Sequence, residues 1–171
     1  MRTSLRLIPG ILLGAVLAAG NAAAAGPPPT PPDSADYPLN INTKDVHWDT
    51  MLPELGSGSP MIAILHKDPK TGATQILVRV PRDFHVTPHW HSANETHTVL
   101  QGTFVMECMG KRETLEEGGF NYIPARMIHE AWTTEKKGAL VFITVDGPWD
   151  VNFIADPPRS MSTERASKMK K

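Results

Sequence analysis

Short apolar runs and alternation of apolar with polar residues fill the middle of the chain. Residues 61–66 are mostly apolar, whereas residues 74–80 alternate and are rich in branched side chains. Alternation with a period of two predicts strands that bury one face. The same pattern predicts strands near 89–91, 95–101, 103–108, 113–115, 121–123, 129–133, 139–145 and 151–154. No window beyond the first 25 residues shows a helical period, so we predict an all-β sandwich or barrel in a single domain.

The two ends of the chain depart from this pattern. Residues 1–25 join a short positive segment, an apolar run and a small-residue stretch, which is typical of a secretory signal peptide. Residues 26–43 are rich in proline and predict an extended linker, because proline lacks the amide donor that helices and sheets use. The predicted barrel then spans residues 44–157. The polar, basic residues 158–171 predict a flexible tail.

Charge and composition narrow the choice of partners. The formal net charge of the 171 residues is −1, and removal of residues 1–25, which hold two arginines and no acid, makes it −3. A nucleic-acid partner would need a clustered basic face, so we expect none. No later segment reaches the roughly 20 apolar residues that span a bilayer, so we expect no membrane association after signal cleavage. The mature protein is therefore expected to be periplasmic or secreted.

Four residues carry the strongest chemical signal. His89 and His91 are two positions apart, so on a strand they share one face, and Glu95 follows four residues later. His129 begins another predicted strand. Imidazole nitrogens together with a carboxylate suit divalent first-row transition metals. The sequence therefore predicts that these residues bind one such ion, and Fe, Mn, Ni and Zn are all compatible with the set.

The same residues lie in two motifs that resemble those of the cupin family. The motifs are His89-x-His91-x3-Glu95-x6-Gly102 and Gly118-x5-Pro124-x4-His129. The resemblance covers about residues 46–157 and is to small, single-domain bacterial cupins, many of them functionally unassigned. It implies a double-stranded β-helix, a jelly-roll-like barrel with metal ligands that point inward. Carried onto this sequence, it implies that the three histidines and the glutamate of the two motifs are those ligands.

Three positions depart from the family pattern. Asp83 stands where the first motif usually begins with glycine, Arg126 stands at a turn glycine of the second, and Thr133 replaces a common asparagine. None of them is a ligand position. Arg126 lies in a turn that favours a permissive backbone.

Three further residues are candidates for roles near the metal. His97 continues the strand face of Glu95, so it is expected inside the barrel. There it would be a catalytic acid or base, a group that orients a ligand, or an interior histidine without a chemical role. His85 is a weaker candidate because it precedes the histidine pair by four residues. Tyr122 is expected either to line the pocket or to pack.

Together these features favour an exported, mononuclear metal-binding cupin that acts on a small molecule. If it is an enzyme, an Fe- or Mn-dependent oxygenase of dioxygenase type is the leading hypothesis, with dioxygen and substrate sharing two open metal positions. A metal-dependent lyase or isomerase and a non-catalytic metal-binding, ligand-binding or sensing protein remain alternatives. Trp90 and Trp132 are expected on outer faces, where the N-terminal segment or a second subunit would cover them, which suggests a homodimer.

Overall fold

The computed structural model describes residues 38–154 and 159–161. The predicted signal peptide, most of the predicted linker and most of the predicted tail lie outside these residues. Within the described part of the chain, no helix is long and apolar enough to cross a membrane.

The alternating segments form strands. Two short 3-10 helices accompany them, Thr43–Asp45 before the first strand and Pro53–Gly58 between the first and the second. The strands of the described residues are β1 (Asp49–Thr50), β2 (Met61–Lys67), β3 (Thr74–Val80), β4 (Phe84–Trp90), β5 (Glu95–Gly102), β6 (Phe104–Cys108), β7 (Lys111–Leu115), β8 (Phe120–Ile123), β9 (His129–Thr133), β10 (Ala139–Val145), β11 (Asn152–Phe153) and β12 (Arg159–Ser160).

The strands pair antiparallel in two sheets. The first has the order β1-β2-β3-β10-β5-β8, and the second has the order β11-β4-β9-β6-β7 with β12 also paired to β4. Strands β3, β5, β8 and β10 lie in the first sheet, and strands β4, β6, β7, β9 and β11 lie in the second. The chain therefore crosses repeatedly between the sheets, as in a jelly roll. The inward residues of both sheets form one core, which includes Ile76, Val99 and Val141 from the first and Phe84 and Ala131 from the second. The predicted all-β barrel is thereby confirmed.

One strand boundary differs from the prediction beside the site. Strand β4 begins at Phe84 and ends at Trp90, and its pairing with β9 has a register shift between Val86 and His89. His91 follows the strand directly. His89 and His91 are buried on either side of the less buried Trp90, so the predicted alternation continues through His91.

Two of the three departures from the motif pattern adopt the backbone that glycine would favour. Asp83 has φ 58° and Arg126 has φ 63°, a left-handed conformation that costs a non-glycine residue roughly 1–2 kcal/mol. The amide of Arg126 donates to the carbonyl oxygen of His91 at 2.8 Å, so this turn is fixed against the site. At Gly102, a Cβ would lie 2.0 Å from the Gly138 oxygen, which explains the glycine of the first motif.

The outer face of the second sheet covers Trp132 with its own side chains. The ring of His85 stacks on Trp132 at 4.8 Å between centroids, and Cζ of Arg112 lies 4.4 Å from the centroid of the same ring. Glu130 contacts Nε2 of His85 at 2.8 Å, and Glu107 accepts from Nε of Arg112 at 2.9 Å. We call these five residues the outer cluster. The expectation that Trp132 needs cover from elsewhere is wrong, and the homodimer stays a prediction.

Candidate metal centre

A cavity of about 420 Å³ lies between the two sheets. Its wall is mostly aliphatic and aromatic, with Val80, Phe84, Met106 and Ile143 among the residues that form it. Among the described residues on this wall, the ionisable side chains are those of His89, His91, Glu95, His97 and His129. The cavity is therefore an apolar chamber with a single polar region.

His89, His91, Glu95 and His129 form this polar region, and we call them the inner cluster. All four are at most 5% exposed. His89 lies near the end of β4 and pairs with His129, the first residue of β9. Glu95 begins β5, on the opposite sheet. The sheets thus bring together the residues that the sequence predicted to be ligands.

The inner cluster is compact enough to surround one ion. One ring nitrogen from each of the three histidines lies within 4.8 Å of the other two. Oε2 of Glu95 lies 2.9 Å from Nε2 of His91 and 3.8 Å from Nε2 of His129. Neither contact has the geometry of a hydrogen bond. The atoms converge without satisfying one another.

Backbone carbonyls fix the other nitrogen of each imidazole. Nδ1 of His89 contacts the Thr87 oxygen at 2.7 Å, Nδ1 of His129 contacts the Met127 oxygen at 3.0 Å, and Nδ1 of His91 contacts the Asp150 oxygen. A carbonyl oxygen can only accept, so Nδ1 carries the proton in each case. With Nδ1 protonated, a neutral ring presents an unprotonated Nε2 atom, the arrangement found for metal-binding histidines.

Buried atoms without partners show that these residues fit a metal. Among the described residues, Nε2 of His91, Nε2 of His129 and Oε2 of Glu95 are buried and have no hydrogen-bonding partner. A buried polar atom left in this state costs roughly 1–3 kcal/mol, so three of them in contact need an explanation. A divalent cation would satisfy all three, because imidazole and carboxylate donors suit such an ion.

Burial keeps two of the imidazoles neutral. It lowers the pKa of His89 to about 3 and that of His129 to about 4. Burial alone would raise the pKa of the Glu95 carboxyl, but the charge of His97 and the contact with His91 outweigh it and bring that pKa to about 2. For His91, burial lowers the pKa, but the contact with Glu95 outweighs it and the net direction is upward. At neutral pH, His89, His129 and Glu95 therefore already have the protonation that metal ligands require.

His97 lies inside the barrel beside the inner cluster, as its strand position predicts. It is 4% exposed, and its Nε2 lies 3.3 Å from Oε2 of Glu95. Its Nδ1 contacts Oδ1 of Asn121 at 2.9 Å, and its ring packs 5.9 Å from that of Phe104. With Nδ1 bonded to Asn121, Nε2 is the atom that can hold or release a proton next to the carboxylate.

The segment between His91 and Glu95 is held by a second loop, which follows β10 and is distant in the sequence. The carboxylate of Asp150 accepts from the amide and the hydroxyl of Ser92 at 2.8 and 2.6 Å. Asp146 in the same way accepts from the amide and the side chain of Asn94 at 2.9 and 2.5 Å. These contacts fix both ends of the short segment between the two ligands, so its conformation does not depend on the ion alone.

Sequence reasoning missed three residues of this region. Trp149 lines the cavity, and its Nε1 donates to Oε1 of Glu95 at 3.3 Å. Asp150 bonds to His91 across a sequence separation that no local pattern reveals. Asn121 lies on the same face of β8 as the buried Ile123, and this alternation was the one signal that could have identified it.

Two residues suggested by the sequence lie elsewhere. His85 belongs to the outer cluster, on the opposite face of the sheet from the cavity. Tyr122 is 53% exposed and is not part of the cavity wall, so it neither lines the pocket nor packs inside the barrel. The alternation of β8 turns it outward together with Phe120.

The chain is similar to known cupins in sequence and in fold. Residues 76–146 match the model of the cupin domain family. KdgF from Halomonas sp. is 22% identical, covers 61% of this chain and 90% of its own, and superposes with a TM-score of 0.52. A candidate acetylacetone dioxygenase from Methylibium petroleiphilum is 17% identical, with coverages of 72% and 88% and a TM-score of 0.57.

A third similar structure is named for a different reaction. The polyketide cyclase RemF from Streptomyces resistomycificus is 15% identical, covers 68% of this chain and 85% of its own, and has a TM-score of 0.56. No curated protein matches the sequence significantly. At these identities the structural similarities show the fold alone, and the fold agrees with the cupin barrel that the motifs imply.

Proposed function

We propose that this chain is a cupin whose inner cluster binds one divalent transition metal, and that the protein is a small-molecule metalloenzyme of dioxygenase type. One observation carries the proposal. Three buried ligand atoms without partners converge at the polar end of an otherwise apolar cavity. The name of the similar protein from Methylibium petroleiphilum, a candidate dioxygenase, supports the same class of reaction.

The residues of the chain have distinct tasks in this proposal. When bound, an Fe or Mn ion would supply Lewis acidity and redox chemistry with dioxygen. His89, His91, Glu95 and His129 fix the position of the ion, and the apolar wall excludes bulk water from the reacting molecule. His97, through Nε2, takes up or returns a proton close to the ion, and Asn121 orients its ring.

A redox-neutral lyase or isomerase is the second candidate. His97 favours it, because a buried imidazole beside the inner cluster is equally suited to abstract a proton from a bound substrate. In addition, the similar structure RemF is named as a cyclase and not as an oxygenase. A non-catalytic ligand-binding or sensing role is the third candidate. It would need the metal-binding residues of the inner cluster but not His97.

We further propose that the protein acts after export, in the periplasm or outside the cell. The support is the charge and hydropathy pattern of residues 1–25. Fractionation of cells that express the full chain tests this proposal. Recovery of a shortened chain outside the cytoplasm is expected, and full-length protein confined to the cytoplasm would contradict it.

Elemental analysis of protein purified without chelators tests the metal site. We expect about one Fe or Mn per chain, lost in His91→Ala because a single ion needs all its ligands. His66→Ala is the matched control, since His66 is exposed and lies outside the cavity. Equal metal content in wild type and His91→Ala, or no metal in either after reconstitution, would refute the site.

Oxygen uptake then separates the three candidate functions. A dioxygenase consumes oxygen with its substrate and stops without oxygen, whereas a lyase or isomerase works anaerobically and fails in His97→Gln. A binding protein shows ligand affinity without turnover, and His97→Gln leaves this affinity largely unchanged. Anaerobic turnover would therefore refute the dioxygenase and favour the second candidate.

A further inference from the structure

We propose that the cavity selects a neutral, largely apolar molecule with two neighbouring oxygen donors, and that it rejects carboxylates, phosphates and polyols. This inference rests on the metal site proposed above, and it names the class of substrate for that site.

No arginine or lysine side chain lines the cavity among the described residues. Arginine and lysine side chains instead occur together at a separate surface groove, which includes Arg79, Arg82, Lys136 and Lys137. A substrate carboxylate or phosphate that is not bound to the metal would therefore meet no arginine or lysine inside, and His97, the imidazole outside the inner cluster, already faces Glu95. Burying an unpaired anion is strongly unfavourable, so an anionic substituent is excluded unless it coordinates the ion itself.

Uncharged polar partners are missing from the wall as well. Within the described chain, no Ser, Thr, Asn, Gln or Tyr side chain contributes to it. The indole N–H of Trp149 is the one further polar group, and it already donates to Glu95. The hydroxyl groups of a sugar would lose their bonds to water and gain none from the wall, which is costly for each group. Polyols are therefore poor candidates.

The polar side-chain atoms that remain lie at the inner cluster and at His97 beside it. A ligand must therefore put its oxygen atoms at this end and its hydrocarbon surface against residues such as Val80, Met106 and Val141. The cavity of about 420 Å³ falls in the lower part of the usual range for ligand sites, roughly 300–1,000 Å³. Small hydroxyketones, diketones and phenols with apolar substituents have this combination of size and polarity.

Phe153 offers a place to alter the selectivity without changing the inner cluster. It lines the cavity, is 37% exposed, and its ring lies 5.5 Å from that of His89. It therefore lies where the cavity meets solvent. Because it is partly exposed, a polar replacement there should be compatible with folding.

Three hydroxypyranones provide a matched test by calorimetry on zinc-loaded protein. Allomaltol, kojic acid and comenic acid share one pair of oxygen donors and differ at a single ring position, which carries methyl, hydroxymethyl or carboxylate. Each loses its hydroxyl proton to the buffer when it binds a metal, and each affinity is corrected for binding to free zinc. We expect allomaltol to bind at least ~100-fold more tightly than comenic acid, with kojic acid between them.

Equal or tighter binding of comenic acid would overturn the inference, as would failure of all three to bind protein that retains its zinc. Phe153→Arg should reduce the difference in affinity between allomaltol and comenic acid by about tenfold, because it adds a positive charge at the mouth of the cavity. Phe153→Gln adds no charge and should leave the difference unchanged. Zinc stoichiometry of the same samples tests the metal site separately. Tight allomaltol binding to iron-loaded protein that consumes no oxygen with any substrate of this class would support the inference and contradict the oxygenase.

Discussion

The inner and outer clusters both contain histidine and glutamate, but the inner cluster faces the cavity between the two sheets and the outer cluster lies on the outer face of the second sheet. Each pairs a histidine nitrogen with a glutamate oxygen, at 2.9 Å for His91 and Glu95 and 2.8 Å for His85 and Glu130. The side chains of the outer pair are 15% and 22% exposed, whereas those of the inner pair are 4% and 2% exposed. In the outer pair, the ring of His85 also stacks on Trp132. The inner pair lies beside two more histidines, and three buried atoms there have no hydrogen-bonding partner.

This comparison shows that residue type alone does not make a ligand set. Convergence of several donors and the absence of competing partners distinguish the inner cluster. Water and neighbouring side chains can satisfy the outer cluster, so it needs no ion. Four predictions test the distinction, beginning with the largest effect.

Metal removal should destabilise the protein through the inner cluster only. A metal present at 1,000 times its dissociation constant stabilises a fold that binds it by about 4 kcal/mol. Thermal unfolding with and without a chelator measures this shift. Glu130→Gln should retain the shift and His129→Ala should lose it. A shift that persists in His129→Ala would place the stabilising ion outside the inner cluster.

Replacement of Glu95 or Glu130 by glutamine should affect the metal affinity very differently. Glu95→Gln removes a charged ligand and should weaken metal binding by at least ~100-fold, since residues that merely support ligands already contribute 10–100-fold. Glu130→Gln should leave the affinity within about twofold, because that residue faces away from the cavity. Competition with a chromophoric chelator gives both values. Comparable losses in the two variants would contradict the division into inner and outer clusters.

Trp132→Leu should affect stability without affecting the metal. It removes the stack with His85 and the contact with Arg112, which together are worth about 1 kcal/mol beyond the apolar area retained by leucine. Urea denaturation of the metal-free protein measures the loss of stability. The metal affinity of the same variant is the control, and a large decrease there would show that the two faces of the sheet are coupled.

Arg126→Gly should produce the smallest effect, a gain in stability of about 0.5 kcal/mol. Glycine relieves the left-handed backbone at φ 63°, but part of this gain is offset by the greater freedom of glycine in the unfolded chain. Asp83→Gly is the matched change near the outer cluster, at φ 58°. Arg126→Ala keeps the backbone constraint, so a gain of the same size in that variant would refute the explanation.

The sequence predicted best those features that depend on a few consecutive residues. The strands follow from alternation, and the inward direction of His97 follows from its distance of two residues from Glu95. The convergence of His89, Glu95 and His129 could be anticipated only through the cupin motifs, because these residues belong to different strands. The left-handed turns at Asp83 and Arg126 likewise appear where the motifs have glycine.

The remaining features depend on contacts between distant segments. Asp150 lies 59 positions from His91 and Trp149 lies 54 positions from Glu95, so neither contact leaves a periodic signal in the chain. The register shift between Val86 and His89 in the pairing of β4 with β9 is likewise not encoded by composition. The cover of Trp132 by His85 and Arg112 requires the lateral order of β4, β9, β6 and β7.

The loop contact made by Asp150 also has a consequence for timing. All four residues of the inner cluster are synthesised before Asp150, and β10, which joins β3 to β5, is synthesised after the last of them. A growing chain that ends just past His129 therefore has every donor but neither the central strand nor the contact that holds His91. We expect the unfinished chain to bind metals only as a loose chelator does. Selective uptake of the ion would then be a property of the completed barrel, and it would depend on the metals present where folding ends rather than where synthesis begins.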